Sequence, residues 1–202
     1  MNVDLNNYYK ILSVSIYKQK AQSLHMDKQI IYRSATLQDV NKLSILFKQV
    51  YIQTYGSEGV SDEFANFIML QFSQQRIENL IITEPASLLL ACYKDNLVGV
   101  AEISFNKQCP LGNLQAAELN KLYILEWFCG QGIGENLLKR AEQIVLESGG
   151  IDMWLWVLES NMRAIRFYNK HHYVYIGKAD FKMETNTYMN DVMIKNLVGE
   201  FA

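Results

Sequence analysis

The chain has little cysteine, almost no net charge and no long apolar run, and each shortage argues against a class of protein. Its cysteines, Cys92, Cys109 and Cys129, lie too far apart for a Cys-x-x-Cys metal site or redox pair, and so sparse a set is typical of the reducing cytosol. A formal net charge of −2 gives no basic surface for nucleic acid. No apolar segment approaches the roughly 20 residues of a membrane span. We therefore expect a cytoplasmic protein with neither nucleic acid nor membrane as a partner.

The apolar content is sufficient for one well-packed domain. Half of the 202 residues are hydrophobic and one fifth are charged, a balance that predicts a single domain with a sizeable core. Met26 directly precedes the first strong strand signal. We therefore divide the chain into an N-terminal extension of unknown role at 1–28 and one domain at 29–202.

Hydrophobic periodicity predicts a mixed succession of helices and strands. The pattern indicates a strand at 30–35, three helices between 36 and 81, a hairpin of strands 88–93 and 98–105 about an Asp95-Asn96 turn, a strand at 116–125, a helix at 135–148, a strand at 151–158, a helix at 161–170, and strands at 173–177 and 188–197. Residues 116–158 form a β-α-β unit, whose two strands should be parallel. The predicted fold class is mixed α/β.

A glycine-rich turn, Gly-Gln-Gly-Ile-Gly at 130–134, joins the strand and the helix of this unit. Backbone N–H groups at such a helix N-terminus form a cup that suits a diphosphate, and glycine lets the phosphate oxygens approach them. The spacing is not the Gly-x-Gly-x-x-Gly of a dinucleotide site, and Gly134 is followed by Glu135 and Asn136 rather than the Lys-Ser/Thr of a P-loop. A purely structural helix start is the alternative.

Asn161 and Tyr168 lie seven residues apart, which is two helical turns, so they share one helix face. Their helix follows the strand next to the glycine-turn strand, so that face can line the same cleft. Each residue also has an ordinary structural explanation. Asn161 is equally typical of a helix N-cap, and a tyrosine such as Tyr168 is typical of a core position in an amphipathic helix. His171-His172 has no further metal ligands nearby in sequence, so no metal site is expected.

Three segments, in order and correctly spaced, resemble the motifs of the GNAT superfamily of acyl-CoA-dependent N-acyltransferases. They are Ala-Glu-Leu-Asn-Lys-Leu-Tyr-Ile at 117–124, Gly-Gln-Gly-Ile-Gly-Glu-Asn-Leu-Leu at 130–138 and Asn-Met-Arg-Ala-Ile-Arg-Phe-Tyr-Asn-Lys at 161–170. The resemblance covers roughly 30–197 and is nearest to the bacterial spermine/spermidine N-acetyltransferase branch. It implies a mostly antiparallel central sheet that splays at the β-α-β unit and is flanked by helices.

The same resemblance implies acetyl-CoA as co-substrate, with no metal. Its pantetheine arm would pair with the backbone of Leu122, Tyr123 and Ile124, while Asn161 and Lys170 would offer further contacts. The amides implied for the diphosphate belong to Cys129, Gly130, Gln131, Gly132, Ile133, Gly134 and Glu135. Two residues depart from the family pattern, because Cys129 stands where Gln or Arg is usual and His172 where Gly is usual.

The implied reaction moves an acetyl group to a primary amine of a small molecule, with a polyamine as first candidate, by direct attack in a ternary complex. The amine is almost all ammonium at neutral pH and must lose a proton. Strand alternation places Glu118 on the face of Leu122 and Ile124, which favours it as the base. A β-bulge would reverse this placement, and an ordinary ion-pairing role is the alternative. The family's usual general acid falls on Tyr168.

Two other functions remain open from the sequence. The chain could be a protein or peptide N-acetyltransferase, which differs only in its acceptor, or a non-catalytic acyl-CoA-binding module, which the unusual Cys129 favours. The resemblance is compatible with a homodimer without requiring one.

Overall fold

The structure, a computed structural model, describes residues 29–85 and 87–199, so the predicted N-terminal extension at 1–28 lies outside it. Seven strands form one sheet in the order β1-β2-β3-β4-β5-β7-β6. The strands are β1 (Ile30–Ser34), β2 (Leu88–Tyr93), β3 (Asn96–Gln108), β4 (Gln115–Ile124), β5 (Asp152–Leu158), β6 (Val174–Lys182) and β7 (Thr187–Asn196). The α-helices are α1 (Val40–Tyr55), α2 (Asp62–Gln71), α3 (Gln74–Thr83), α4 (Ile133–Glu147) and α5 (Met162–Lys170). The predicted mixed α/β class is confirmed.

The β-α-β unit positions the site. Strands β4 and β5 are parallel, as predicted, yet they pair only at Ala117 with Met153 and at Glu118 with Trp154. Beyond this point β4 continues to Ile124 beside β3 alone. The two strands therefore part, and the sheet is splayed at the place that the family resemblance implied.

The helices bury apolar faces on the sheet. The first three helices and strands β2 and β3 share one hydrophobic cluster, in which Leu43, Phe47, Ile77 and Leu90 are fully buried. Helix α4 buries a second stripe at helical spacing, consisting of Leu137, Leu138, Ala141 and Val145. Beyond Glu118, none of the described strands pairs with the other edge of β4.

The first hairpin turns one residue earlier than predicted. The residues with positive φ are Lys94 (48°) and Asp95 (64°), not the Asp95-Asn96 pair of the prediction, and Asn96 already begins β3. Positive φ at both central residues is the requirement of a two-residue type I′ turn. The Asn96 side chain instead donates a hydrogen bond to the carbonyl oxygen of Lys94, 3.1 Å away.

Strand β6 is also longer than the predicted 173–177 segment. It continues to Lys182 past Gly177, where a register shift interrupts its pairing with β7. The added segment alternates exposed Lys178 and Asp180 with half-buried Ala179 and Phe181. Its polar composition reflects its position as the edge strand, where one face meets solvent.

Candidate active site

The glycine turn presents unpaired backbone donors. Gly130 and Gly132 have φ of 74° and 76°, a left-handed conformation that strains other residues, and Gly132 is the N-cap of α4. None of the described residues accepts a hydrogen bond from the backbone N–H groups of 130–135. The N–H of Cys129, which was also expected to face the diphosphate, instead donates to the carbonyl oxygen of Glu126 at 3.1 Å, because it closes the short turn 126–128. The first-turn amides of a helix have no acceptor within the helix, so this row of donors is free for an anion.

A cavity of about 860 Å³ opens between the parted strands, the glycine turn and α5. This volume lies in the usual range of ligand pockets. Helix α1 adds Val50, Gln53, Thr54 and Tyr55 to its wall. The predicted residues that line the cavity are Leu122, Tyr123, Ile124, Cys129, Gly130, Gly132, Gly134, Glu135, Asn161, Tyr168 and Lys170.

Three of the predicted site residues do not line this cavity. The Gln131 side chain is exposed and donates to the carbonyl oxygen of Trp127 at 3.0 Å, while the Ile133 side chain is buried beneath the turn. Both still contribute a backbone amide to the turn. Glu118, the third, precedes the cavity-lining segment of β4, which runs from Leu119 to Ile124.

The expected orientation of Glu118 is wrong because β4 contains a bulge. Glu102 of β3 pairs with Lys121 while the next residue, Ile103, pairs with Leu119, so Asn120 is an extra residue in the strand. An extra residue reverses the alternation of side chains. Glu118 therefore shares a face with Lys121 and Tyr123, and not with Leu122 and Ile124.

The surroundings of Glu118 favour its neutral form. Burial raises the pKa of this carboxyl, and the charge of Glu102 acts in the same direction. Lys121, Lys107 and a hydrogen bond with Trp156 oppose the rise. A carboxylate with a raised pKa is a stronger base than an ordinary surface glutamate.

The backbone of Ile124 points into the gap between the strands. The N–H of Leu125 donates to the carbonyl oxygen of Val98 on β3, at 3.0 Å. Backbone groups of successive strand residues point to opposite sides. The N–H of Ile124 is therefore directed away from β3, into the gap between β4 and β5.

Helix α5 and its N-cap supply three of the predicted side chains, Asn161, Tyr168 and Lys170, all of which line the cavity. The Asn161 side-chain oxygen accepts a hydrogen bond from the backbone N–H of Ala164 at 3.1 Å, so the N-cap alternative is correct for this atom, and the residue also lines the cavity. Tyr168 is buried on the same face, and burial raises its pKa well above 10. Its phenol is consequently protonated throughout the physiological range.

The two departures from the family pattern have defined structural consequences. Burial raises the pKa of the Cys129 thiol, whose Sγ lies 3.7 Å from the carbonyl oxygen of Leu125, so this residue presents a neutral group beside the turn. His172 adopts the left-handed conformation itself, with φ of 65°. The end of α5 therefore keeps the shape that glycine usually provides.

A buried charge network beside the cavity was not predicted. Glu102 is only 1% exposed, and its carboxylate lies 2.8 Å from Lys121 Nζ and 3.5 Å from an Arg76 nitrogen. Burial alone would raise the pKa of Glu102, but the two cations together lower it. The sequence contained one indication of this network, because Glu102 is the single acidic residue within the apolar segment 97–103.

An ion pair at the cavity mouth also went unpredicted. Arg163 Nη1 in the first turn of α5 lies 3.0 and 3.2 Å from the two carboxylate oxygens of Glu126, which precedes the glycine turn. Both residues line the cavity and both are exposed. Since they lie 37 residues apart, only the tertiary fold brings them together.

Comparison with known proteins places this geometry in a family. The profile of the acetyltransferase (GNAT) family matches residues 51–173. An uncharacterized N-acetyltransferase of Mycobacterium tuberculosis is 26% identical over 137 residues, which cover 68% of this chain and 84% of the relative. The spermidine N(1)-acetyltransferase of Thermoplasma acidophilum is 25% identical over 160 residues, covering 75% of this chain and 94% of the relative.

A solved structure shares the fold. The PaiA N-acetyltransferase of Thermoplasma acidophilum, crystallised in complex with coenzyme A, superposes with a TM-score of 0.66 at 22% identity. The superposition covers 83% of this chain and 99% of that one. Among the described residues no helix is both long and apolar enough to cross a membrane. The family match spans more than half of the sequence, and the chain therefore belongs to the acetyltransferase (GNAT) family and is an acyltransferase.

Proposed function

We propose that this enzyme transfers the acetyl group of acetyl-CoA to a primary amine of a small molecule, with a polyamine as the first candidate acceptor. One observation carries the proposal. A single cavity contains the unpaired amides of the glycine turn, the open edge of β4 and the buried phenol of Tyr168. Together these groups provide an anion site, a strand edge and an acid.

The residues present suit the co-substrate. The amides of 130–135 would hold the diphosphate, and the open edge of β4 at 122–124 would pair with the amide groups of the pantetheine arm. Acetyl-CoA supplies a thioester as the acyl donor. The N–H of Ile124, directed into the gap, is positioned as a donor to the thioester oxygen, where negative charge develops during attack.

The proton transfers would use two residues. Glu118, with its raised pKa, accepts the ammonium proton through water, because it lies outside the cavity itself. The amine nitrogen then bonds to the carbonyl carbon, and the C–S bond breaks. The nitrogen gives up its second proton in this step, and solvent carries that proton to the tyrosinate that remains once Tyr168 has protonated the sulfur. Tyr168, kept protonated by its high pKa, donates to the departing sulfur.

The polyamine acceptor is supported by sequence similarity rather than by a single contact. The spermidine N(1)-acetyltransferase of Thermoplasma acidophilum matches three quarters of this chain. The cavity wall includes aromatic and neutral polar residues, among them Tyr55, Gln53 and Trp156. Aromatic ring faces attract ammonium groups. A polyamine carries several ammonium groups along its chain, so such a wall suits it as an acceptor.

The test is release of free thiol from acetyl-CoA by purified protein in the presence of spermidine, spermine, aminoglycosides, amino acids or N-terminal peptides. Turnover with spermidine or spermine above all other amines is the expected result. Turnover with peptides but not with polyamines would instead establish a protein N-acetyltransferase. Binding of acetyl-CoA without turnover on any amine would leave only an acyl-CoA-binding module.

A further inference from the structure

We propose that Arg163 is a diphosphate-binding residue that exchanges partners, pairing with Glu126 in the free enzyme and with the diphosphate of CoA in the complex. This inference rests on the proposed function, since it assumes that the cavity accepts CoA. It assigns to this chain a side-chain contact that the glycine turn itself lacks.

The position of Arg163 carries the first part of the inference. Its guanidinium is close enough to the Cys129 thiol for the two groups to affect each other's pKa, at the start of the turn whose amides are unpaired. Glu126 lies in the short turn 126–128 that leads into the glycines. The Arg163–Glu126 pair thus links the two sides of the cavity mouth, next to the unpaired backbone amides of 130–135.

The neutrality of Cys129 carries the second part. The half-buried thiol of Cys129 is never cationic and therefore offers no positive charge to a diphosphate. Two other cations line the cavity, but Lys121 is held 2.8 Å from buried Glu102, and Lys170 lies 3.8 Å from Glu135. Arg163 is the cavity-lining cation beside the start of the turn, whereas Lys170 lies beside its last residue, Glu135.

The present partner of Arg163 is easily exchanged. Arg163 and Glu126 are both 63% exposed, and ion pairs of such exposure contribute little to stability. A diphosphate offers the planar guanidinium a bidentate, charge-assisted pair of greater strength. Releasing Glu126 into solvent therefore costs little, while the new pair adds to the row of amide donors.

Calorimetry with Arg163→Gln tests the inference. We expect CoA binding to weaken by about tenfold, the size of one lost hydrogen bond to a charged group. The matched control is Arg166→Gln, which removes the same charge from an exposed position on the same helix outside the cavity and should leave binding within twofold. Equal loss in both variants would overturn the inference, because general charge would then explain it.

The chemistry of the ligand locates the contact. Dephospho-CoA, which keeps the diphosphate but lacks the 3′-phosphate, should lose the same tenfold with Arg163→Gln. Loss with CoA alone would assign Arg163 to the 3′-phosphate and overturn the proposal. Adding Cys129→Arg to Arg163→Gln should restore most of the affinity, which a merely structural role of Arg163 would not allow.

Glu126→Gln tests the exchange of partners. Removing the competing carboxylate should tighten CoA binding severalfold, whereas weaker binding would show that Glu126 holds Arg163 in place for the ligand and would overturn the exchange. Failure of the inference is distinguishable from failure of the function. If Arg163→Gln binds CoA as wild type does, only the inference is wrong, and if wild type binds no CoA, the proposed function is wrong.

Discussion

Gly99 of β3 lies directly opposite Ile124 of β4, and no larger residue fits between the two strands without displacement. A Cβ atom at Gly99 would lie 2.6 Å from Cδ1 of Ile124 and 3.1 Å from the backbone oxygen of Tyr123. Ile124 is the last residue of β4 before the turn that leads to the glycines. The small residue on β3 therefore sets the position of the strand edge proposed to receive the pantetheine arm.

Gly99→Ala should destabilise the fold, because the Ile124 side chain must turn away and the Tyr123 backbone must shift slightly. Overpacking of this kind costs about 1–3 kcal/mol, which urea denaturation measures as a lower midpoint. The control is Gly134→Ala, whose Cβ would make only ordinary 3.8 Å contacts with Ile124 and Phe167. A Gly99→Ala midpoint equal to that of wild type would contradict the account of this contact.

Tyr168→Phe should lower kcat by roughly 10²–10⁴-fold, the usual contribution of a general acid, with CoA affinity unchanged. The buried phenyl ring retains the packing of Tyr168 on Phe167 and Tyr173, so the variant should fold. Steady-state kinetics with the best amine make the measurement. Tyr173→Phe serves as the control, since its hydroxyl donates to Glu142, outside the cavity. A kcat within twofold of wild type would remove Tyr168 from the chemistry.

Glu118→Gln should abolish the low-pH limb of kcat/KM. The base must be ionised to act, so activity rises with pH through its pKa, and burial moves that pKa above the ordinary value of about 4.3. Titration of the free amine produces a separate limb at higher pH. Glu147→Gln, at an exposed position at the end of α4, should keep the wild-type profile. An unchanged acid limb in Glu118→Gln would show that another group is the base.

Asp39→Asn should destabilise the fold by about 2 kcal/mol at neutral pH. Hydrogen bonds from Arg33 at 2.7 and 2.8 Å, together with those from Thr36, hold the pKa of Asp39 well below its usual range. A lowered pKa stabilises the fold above the unfolded value near 3.9, and this contribution is lost as pH falls toward the native value.

The difference between wild type and Asp39→Asn should accordingly be full at pH 7 and shrink below about pH 4. Urea midpoints over this range give the measurement. The control is Asp62→Asn, because Asp62 is exposed in the first turn of α2 and has no ion pair within the described chain. A difference that stays constant from pH 7 to pH 3 would contradict the role of the Arg33–Asp39 pair.

Local patterns predicted most of the fold because they depend on neighbours in sequence. The apolar stripe of α4 and the order of strand, glycines and helix indicated the β-α-β unit. The hairpin shifted by one residue since turn register depends on which pair of residues adopts positive φ. The length of β6 was underestimated because Lys178 and Asp180 belong to an edge strand with one solvated face.

Features that depend on tertiary pairing could not be predicted from the sequence. The bulge at Asn120 reflects how β4 pairs with β3, and alternation alone therefore assigned Glu118 to the wrong face. Arg163 and Glu126 are exposed residues of ordinary type, and nothing in their sequence spacing indicates contact. The predicted roles of the site residues remain predictions, although most of these residues line one cavity.

Titration calorimetry of the purified chain with CoA tests the central claim most directly. The unpaired amides at 130–135 predict saturable binding of one CoA per chain. Gly132→Val, which strains the left-handed N-cap of α4, should abolish this heat, provided that thermal unfolding confirms that the variant is folded. A folded wild-type protein that gives no binding heat with either CoA or acetyl-CoA would contradict the account.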